Sequence, residues 1–97
     1  MSYAARLSET AQSSIIDYVT QIEDPVEYQT VVDGIYAEVQ RLADNPRLGT
    51  VPPGPFGRPI YRFQIRTGGI VRYLQFAFRY SEDEKYIDIL QFSPVNF

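Results

Sequence analysis

The segment Arg41-Leu42-Ala43-Asp44-Asn45-Pro46-Arg47-Leu48-Gly49 divides the chain into two halves of different hydrophobic period, and this switch restricts the fold more than any other feature. Before it, apolar residues recur about every 3.6 positions, the helix repeat; beyond the loop that follows, they alternate with period 2, the strand repeat. Pro46 cannot continue a helix, Asn45 tolerates the left-handed conformation that ends one, and Gly49 permits the next reversal. Helices therefore precede a sheet. Charge changes sign at the same point. Up to Asp44 there are eight acidic residues against Arg6 and Arg41, whereas Asn45 to Ser81 holds six arginines and no acid.

Taken in order, Ser2 to Leu7 is long enough for one strand and too short for a stable helix. Ser8 can cap a first helix with Glu9 in its opening turn and Ala11, Ile15, Tyr18, Val19 and Ile22 on its buried face. Asp24-Pro25-Val26-Glu27 is a second start signal, with Asp24 as N-cap, Pro25 at the first helical position and Glu27 placed to complete a capping box. The second helix runs to about Ala43 on a stripe of Tyr28, Val31, Val32, Ile35, Val39 and Leu42, and the short connection implies an antiparallel pair. Gly34 within it costs on the order of 1 kcal/mol relative to alanine and points to close approach of another backbone.

Pro46 to Pro59 contains five prolines and three glycines, a semi-rigid loop that is either functional or a connection crossing the sheet edge. Ile60 to Arg66 alternates, Tyr61, Phe63 and Ile65 against Arg62, Gln64 and Arg66, as a half-buried strand does. Thr67-Gly68-Gly69 signals a hairpin into a strand over Ile70 to Tyr80. Ser81 to Lys85 forms a polar turn into a last strand over Tyr86 to Phe92, stopped by Pro94. The expected fold is α+β: a two-helix antiparallel hairpin packed on one face of a mainly antiparallel four-stranded sheet, in the order β-α-α-β-β-β, with the other face open.

Ninety-seven residues make one domain, spanning 1–97. Cysteine and histidine are both absent, which removes disulfides, thiolate chemistry, the usual neutral-pH acid–base group and the commonest metal ligands. No metal and no cofactor is expected. There is no signal-peptide pattern and no apolar run near the roughly 18 residues of a membrane span, so a cytoplasmic protein without membrane contact is expected. The net charge of −3 argues against a nucleic-acid partner only if the charges are mixed, and here they are segregated along the chain.

The open face is the candidate site. Arg62, Gln64 and Arg66 stand at alternate positions, about 6 to 7 Å apart along one face. Arg72 or Arg79 could join them from the next strand, and Arg58 precedes them. Guanidiniums converging without carboxylate partners suit phosphates or an acidic peptide, and any of Tyr73, Tyr80 and Tyr86 on the same face would suit stacking on single-stranded bases. The competing reading pairs these arginines with Glu38, Asp44 or the Glu82-Asp83-Glu84 turn and makes the tyrosines ordinary sheet packing. Adjacent carboxylates such as Glu23-Asp24 and Asp83-Glu84 point apart, and Gly68-Gly69 is not followed by a helix, so neither makes a catalytic pair or a phosphate loop.

In this order of elements, and in Arg41 to Gly49, Tyr61-Arg62-Phe63, Arg72-Tyr73 and Ile87-Asp88-Ile89-Leu90, the chain resembles the RelE/ParE superfamily of type II toxin–antitoxin toxins over nearly its whole length. The resemblance implies a cognate antitoxin that neutralises the toxin by wrapping it. Members that cut messenger RNA on the ribosome use basic residues along this sheet, with a late arginine and tyrosine and no metal, to promote attack of a ribose 2′-hydroxyl on its phosphate. By position Arg62 and Arg72 match two of those basic residues and would be catalytic in an RNA-cutting member. Gln64 replaces a lysine, and Ser93-Pro94-Val95-Asn96-Phe97 stands where the late arginine and tyrosine would be. Members that inhibit DNA gyrase share the frame without that set. The expectation is therefore a growth-arresting toxin acting on gyrase. The alternatives are a ribosome-dependent mRNA interferase and a non-toxic relative that binds an antitoxin or acidic peptide.

Overall fold

The computed structural model describes residues 3–50 and 58–95. Its elements are β1 (Ala4–Leu7), α1 (Glu9–Val19), α2 (Pro25–Asp44), a 3-10 turn (Pro46–Leu48), β2 (Ile60–Thr67), β3 (Ile70–Ser81) and β4 (Tyr86–Pro94). As expected, the two helices pack on one face of a four-stranded, mainly antiparallel sheet; its spatial order is β1-β4-β3-β2. β1 runs parallel to β4 and the other two pairings are antiparallel.

Local sequence chemistry explains the helix starts. The Ser8 hydroxyl accepts from the Ala11 N–H at 3.0 Å and donates to the Leu90 carbonyl at 2.8 Å, so one side chain caps α1 and ties it to the sheet. Asp24 accepts from the Val26 N–H at 3.1 Å with Pro25 in the first turn of α2. Glu27 does not complete the expected capping box; its carboxylate is taken by Arg72 and Thr67. The charge-assisted bond to a guanidinium is the stronger partner for a carboxylate that tertiary packing brings into reach.

The stop also differs in mechanism. Asn45 has φ −149° and ψ 86°, extended rather than left-handed, because the ring of the following Pro46 clashes with a helical residue before it. Its side chain then accepts from the Arg47 N–H and starts the 3-10 turn. Gly49, at an ordinary φ of −73°, is there for space: a Cβ on it would overlap the ring of Phe78. Gly34 likewise admits a neighbour, but a side chain and not a backbone, since a Cβ there would lie 2.9 Å from Ile65 Cδ1. Of the loop to Pro59, Thr50 is bridged to Ile60, and residues 51–57 lie outside those described.

The core joins Ala11, Ile15 and Val19 of α1 and Val31, Ile35, Val39 and Leu42 of α2 to the inward side chains of the sheet. Tyr18, Ile22 and Val32 pack against it half-buried, while Tyr28 departs from its expected stripe and is 37% exposed. Phe63, Phe76 and Phe92 form a chain of ring contacts, with centroids 4.8 and 6.0 Å apart. One irregularity sets which residues of β4 face inward. Ala77 pairs with Gln91 and Phe78 with Ile89, so Leu90 is an extra residue, and the inward set passes from Ile87 and Ile89 to Phe92. Among the described residues, no helix is long and apolar enough to cross a membrane.

Candidate anion-binding face of the sheet

The hairpin register decides which arginines meet. Gly68-Gly69 is a two-residue turn with Gly68 at φ +58°, which places Thr67 opposite Ile70. Counting back along both strands, Arg62 lies opposite Gln75, Gln64 opposite Tyr73, and Ile65 opposite Arg72. Cross-strand partners share a face. Arg62, Gln64 and Arg66 therefore stand with Tyr73, Gln75 and Arg79 on the side away from the helices, with Arg66, at the end of β2, also lining a recess of about 510 Å³ shared with Asp24, Glu27 and Thr30 at the start of α2. Arg62 Nε donates to Gln75 Oε1 at 3.3 Å, and Gln75 Nε2 donates to Ser93 Oγ at 3.2 Å, a polar chain across three strands. Beside it Arg62, Phe63, Gln64 and Tyr73 line a shallow recess of about 220 Å³. Arg58 is exposed just ahead of β2.

Arg72 does not join this group. It lies on the helix side, where Nη2 is 2.5 Å from Glu27 Oε1 and Nη1 donates to the Tyr18 hydroxyl at 3.1 Å. Thr67 donates to the same Glu27 oxygen at 3.3 Å. These bonds, Glu27 first, raise the guanidinium above its ordinary pKa and lock α1, α2 and β3 together. Arg72 Nε is buried and has no hydrogen-bond partner among the described residues, so this cation is held for its charge at some cost in unmet polar capacity. The register could have shown this in advance: a two-residue turn at Gly68-Gly69 already puts Arg72 level with Ile65, on the apolar side.

Arg79 is on the open face and is already engaged. Its Nε donates to Asp88 Oδ2 at 3.1 Å, and from the other side Arg6 donates Nε to Oδ1 at 2.7 Å and Nη2 to Oδ2 at 3.2 Å. Shielding by the sheet would raise the Asp88 carboxyl, but the hydrogen bonds and charges of Arg6 and Arg79 outweigh it and hold the group below the usual carboxylate range. Arg6 also lies over the Tyr86 ring, 4.0 Å from its centroid. Sequence reading had not marked Arg6 or Asp88 as partners, because they meet across 82 positions of chain. Of the tyrosines, Tyr73 and Tyr86 share the arginine face, whereas Tyr80 turns inward against Tyr3 and Phe78.

Three acids of the competing reading, Glu38, Asp44 and Glu82, go elsewhere. Glu38 accepts from the Tyr61 hydroxyl at 2.6 Å and sits 3.7 Å from Arg41; Asp44 accepts from Gln40; Glu82 pairs with Arg47 at 3.1 Å. Among the described residues, Arg62 and Arg66 have no carboxylate within ion-pair distance. Among the described residues there is also no group of three acidic side chains placed to hold a metal ion. The open face is thus a cationic, hydrogen-bonding surface able to take anionic groups by charge and by guanidinium forks. Neither protein-family models nor curated protein sequences give a match to this chain.

Proposed function

We propose that this chain is the toxin of a type II toxin–antitoxin pair of the RelE/ParE kind, working in the cytoplasm and neutralised by a cognate antitoxin. In this reading it arrests growth by binding its target through the open sheet face, with DNA gyrase ahead of messenger RNA on the ribosome. One observation carries the preference for binding over cutting. Arg62 and Arg66 stand on the uncovered face with no carboxylate at ion-pair distance among the described residues, while Arg72, which an RNA-cutting member would need beside Arg62, is across the sheet on Glu27. Arg62 and Arg66 stand four residues apart along β2, and without Arg72 the face lacks the pair of arginines that the resemblance assigns to stabilising a phosphorane-like transition state. The non-toxic binding module is supported by the same uncovered arginines and differs only in outcome.

Induced expression separates the readings. Growth arrest with DNA-damage signalling supports the gyrase route; arrest with ribosome-dependent message cleavage supports the nuclease. Normal growth, with the chain present and folded, supports the binding module. The double change Arg62→Ala, Arg66→Ala is expected to abolish arrest at unchanged folded level. Full arrest by that variant would remove the open face from the mechanism.

A further inference from the structure

From the three strands that meet at Asp88 we infer that the Arg6–Asp88–Arg79 cluster is a binding site for a phosphate group, separate from the β2 arginines. The register Arg6↔Asp88 on one side and Arg79↔Asp88 on the other sets two guanidiniums about one carboxylate. Neutralisation is therefore incomplete: two cations face one anion. Asp88 uses Nε and Nη2 of Arg6 and Nε of Arg79, and the N–H groups on Nη1 of Arg6 and on both Nη atoms of Arg79 are not spent on it. Both guanidiniums reach solvent, with 58% and 67% of their side chains exposed, yet they are oriented, since Asp88 holds each and the Tyr86 ring supports Arg6.

A recess of about 340 Å³ lies against them, lined also by Leu7, Ser8, Leu90 and Asp88, whose single charge is outnumbered by the two guanidiniums. That volume takes a phosphate group together with several waters, each about 30 Å³ in the liquid. The two sets of remaining donors sit on opposite sides of β4, so an anion meeting both has to present oxygens in more than one direction. A tetrahedral phosphate presents three or more oxygens and up to two negative charges, so it can take donors from both guanidiniums while Asp88 keeps its own bonds. Leu90, the extra residue of the β4 bulge, lines the same recess, and its carbonyl accepts from the Ser8 hydroxyl. This inference does not rest on the toxin reading.

Two probes tell the sources of such a group apart: phenyl phosphate for a terminal monoester and dimethyl phosphate for a backbone diester. Each is titrated into the folded chain at constant ionic strength and followed by amide chemical shifts. Saturable shifts at Ser8, Ile89 and Leu90 with either probe are expected, the tighter probe naming the source. Arg6→Gln and Arg79→Gln should each weaken binding at least tenfold, and Arg62→Gln should leave it within twofold. Thermal melts confirm that each variant is folded. Shifts no larger than those from added sodium chloride overturn the inference. So does equal weakening by Arg62→Gln, which would mean a diffuse cationic field and no discrete site.

Discussion

Changing Glu27 to glutamine removes one charge from the ion pair that joins the helices to β3 and leaves the shape almost untouched. About a fifth of each side chain is exposed, 21% for Arg72 and 19% for Glu27, so the pair lies nearer the buried than the surface regime. Breaking a buried pair from one side costs about 3–5 kcal/mol, and a surface pair about 0–1 kcal/mol. The glutamine oxygen still accepts from Arg72 and Thr67, which reduces the loss, while the lost negative charge in the first turn of α2 adds about 0.5 kcal/mol. The expected destabilisation is about 2–3 kcal/mol, a fall in Tm of roughly 10–20 °C for a domain of this size. Arg72→Met should cost less, about 1–2 kcal/mol, because Glu27 keeps Thr67 and the helix N-terminus. The double variant should fall short of the sum by at least about 1 kcal/mol, since the residual unpaired group has gone with its partner. Urea unfolding followed by circular dichroism measures all three. Additive single effects, each within about 0.5 kcal/mol of wild type, would refute the assignment of Arg72 to structure. A functional corollary goes with it. If the wild-type chain arrests growth, Arg72→Met should do so in proportion to its folded level, because that guanidinium does not reach the open face.

Other consequences can be checked separately. Gly49→Ala should destabilise by about 1–3 kcal/mol, because the new methyl meets the fully buried ring of Phe78, which has no room to yield; calorimetric melting tests it. Asp88 has a folded pKa below its unfolded value, so its contribution is present above about pH 4, the ordinary carboxylate value, and is lost as pH falls through the depressed value. Urea midpoints measured down to pH 2 should show that acid limb, reduced by salt and smaller in Asp88→Asn, and an identical limb in the variant would contradict it. Tyr61 is pushed up to about 12 by burial first and by its hydrogen bond to Glu38 second. Its contribution is present below about pH 10, where a free tyrosine titrates, and is lost as pH rises toward 12. Ultraviolet titration should find one late tyrosine that moves earlier in Glu38→Gln.

Period, caps and breakers were readable because they are local. Ser8, Asp24 and Pro25 start their helices by bonding within a few residues, and the alternation from Tyr61 to Arg66 assigns its own two faces wherever the strand lies. That much placed Arg62, Gln64 and Arg66 together on one side of a sheet. The face of Arg72 was also encoded, in the length of the Gly68-Gly69 turn, although it shows only when register is counted residue by residue.

What sequence could not supply was pairing between distant segments. Glu27 had a local role open to it, the capping box, and only the packing of α2 against the hairpin brought in a guanidinium that outcompeted the helix N-terminus for its carboxylate. Arg6 and Asp88 became neighbours through a parallel pairing of the first strand with the last, for which neither strand carries a local signal. The bulge at Leu90 is of the same kind, an offset in a ladder that exists only once β3 and β4 have met. Local periodicity thus determined which side chains point the same way, because backbone geometry fixes that within a few residues; tertiary structure decided which charges neutralise one another, because that depends on distances no single segment contains.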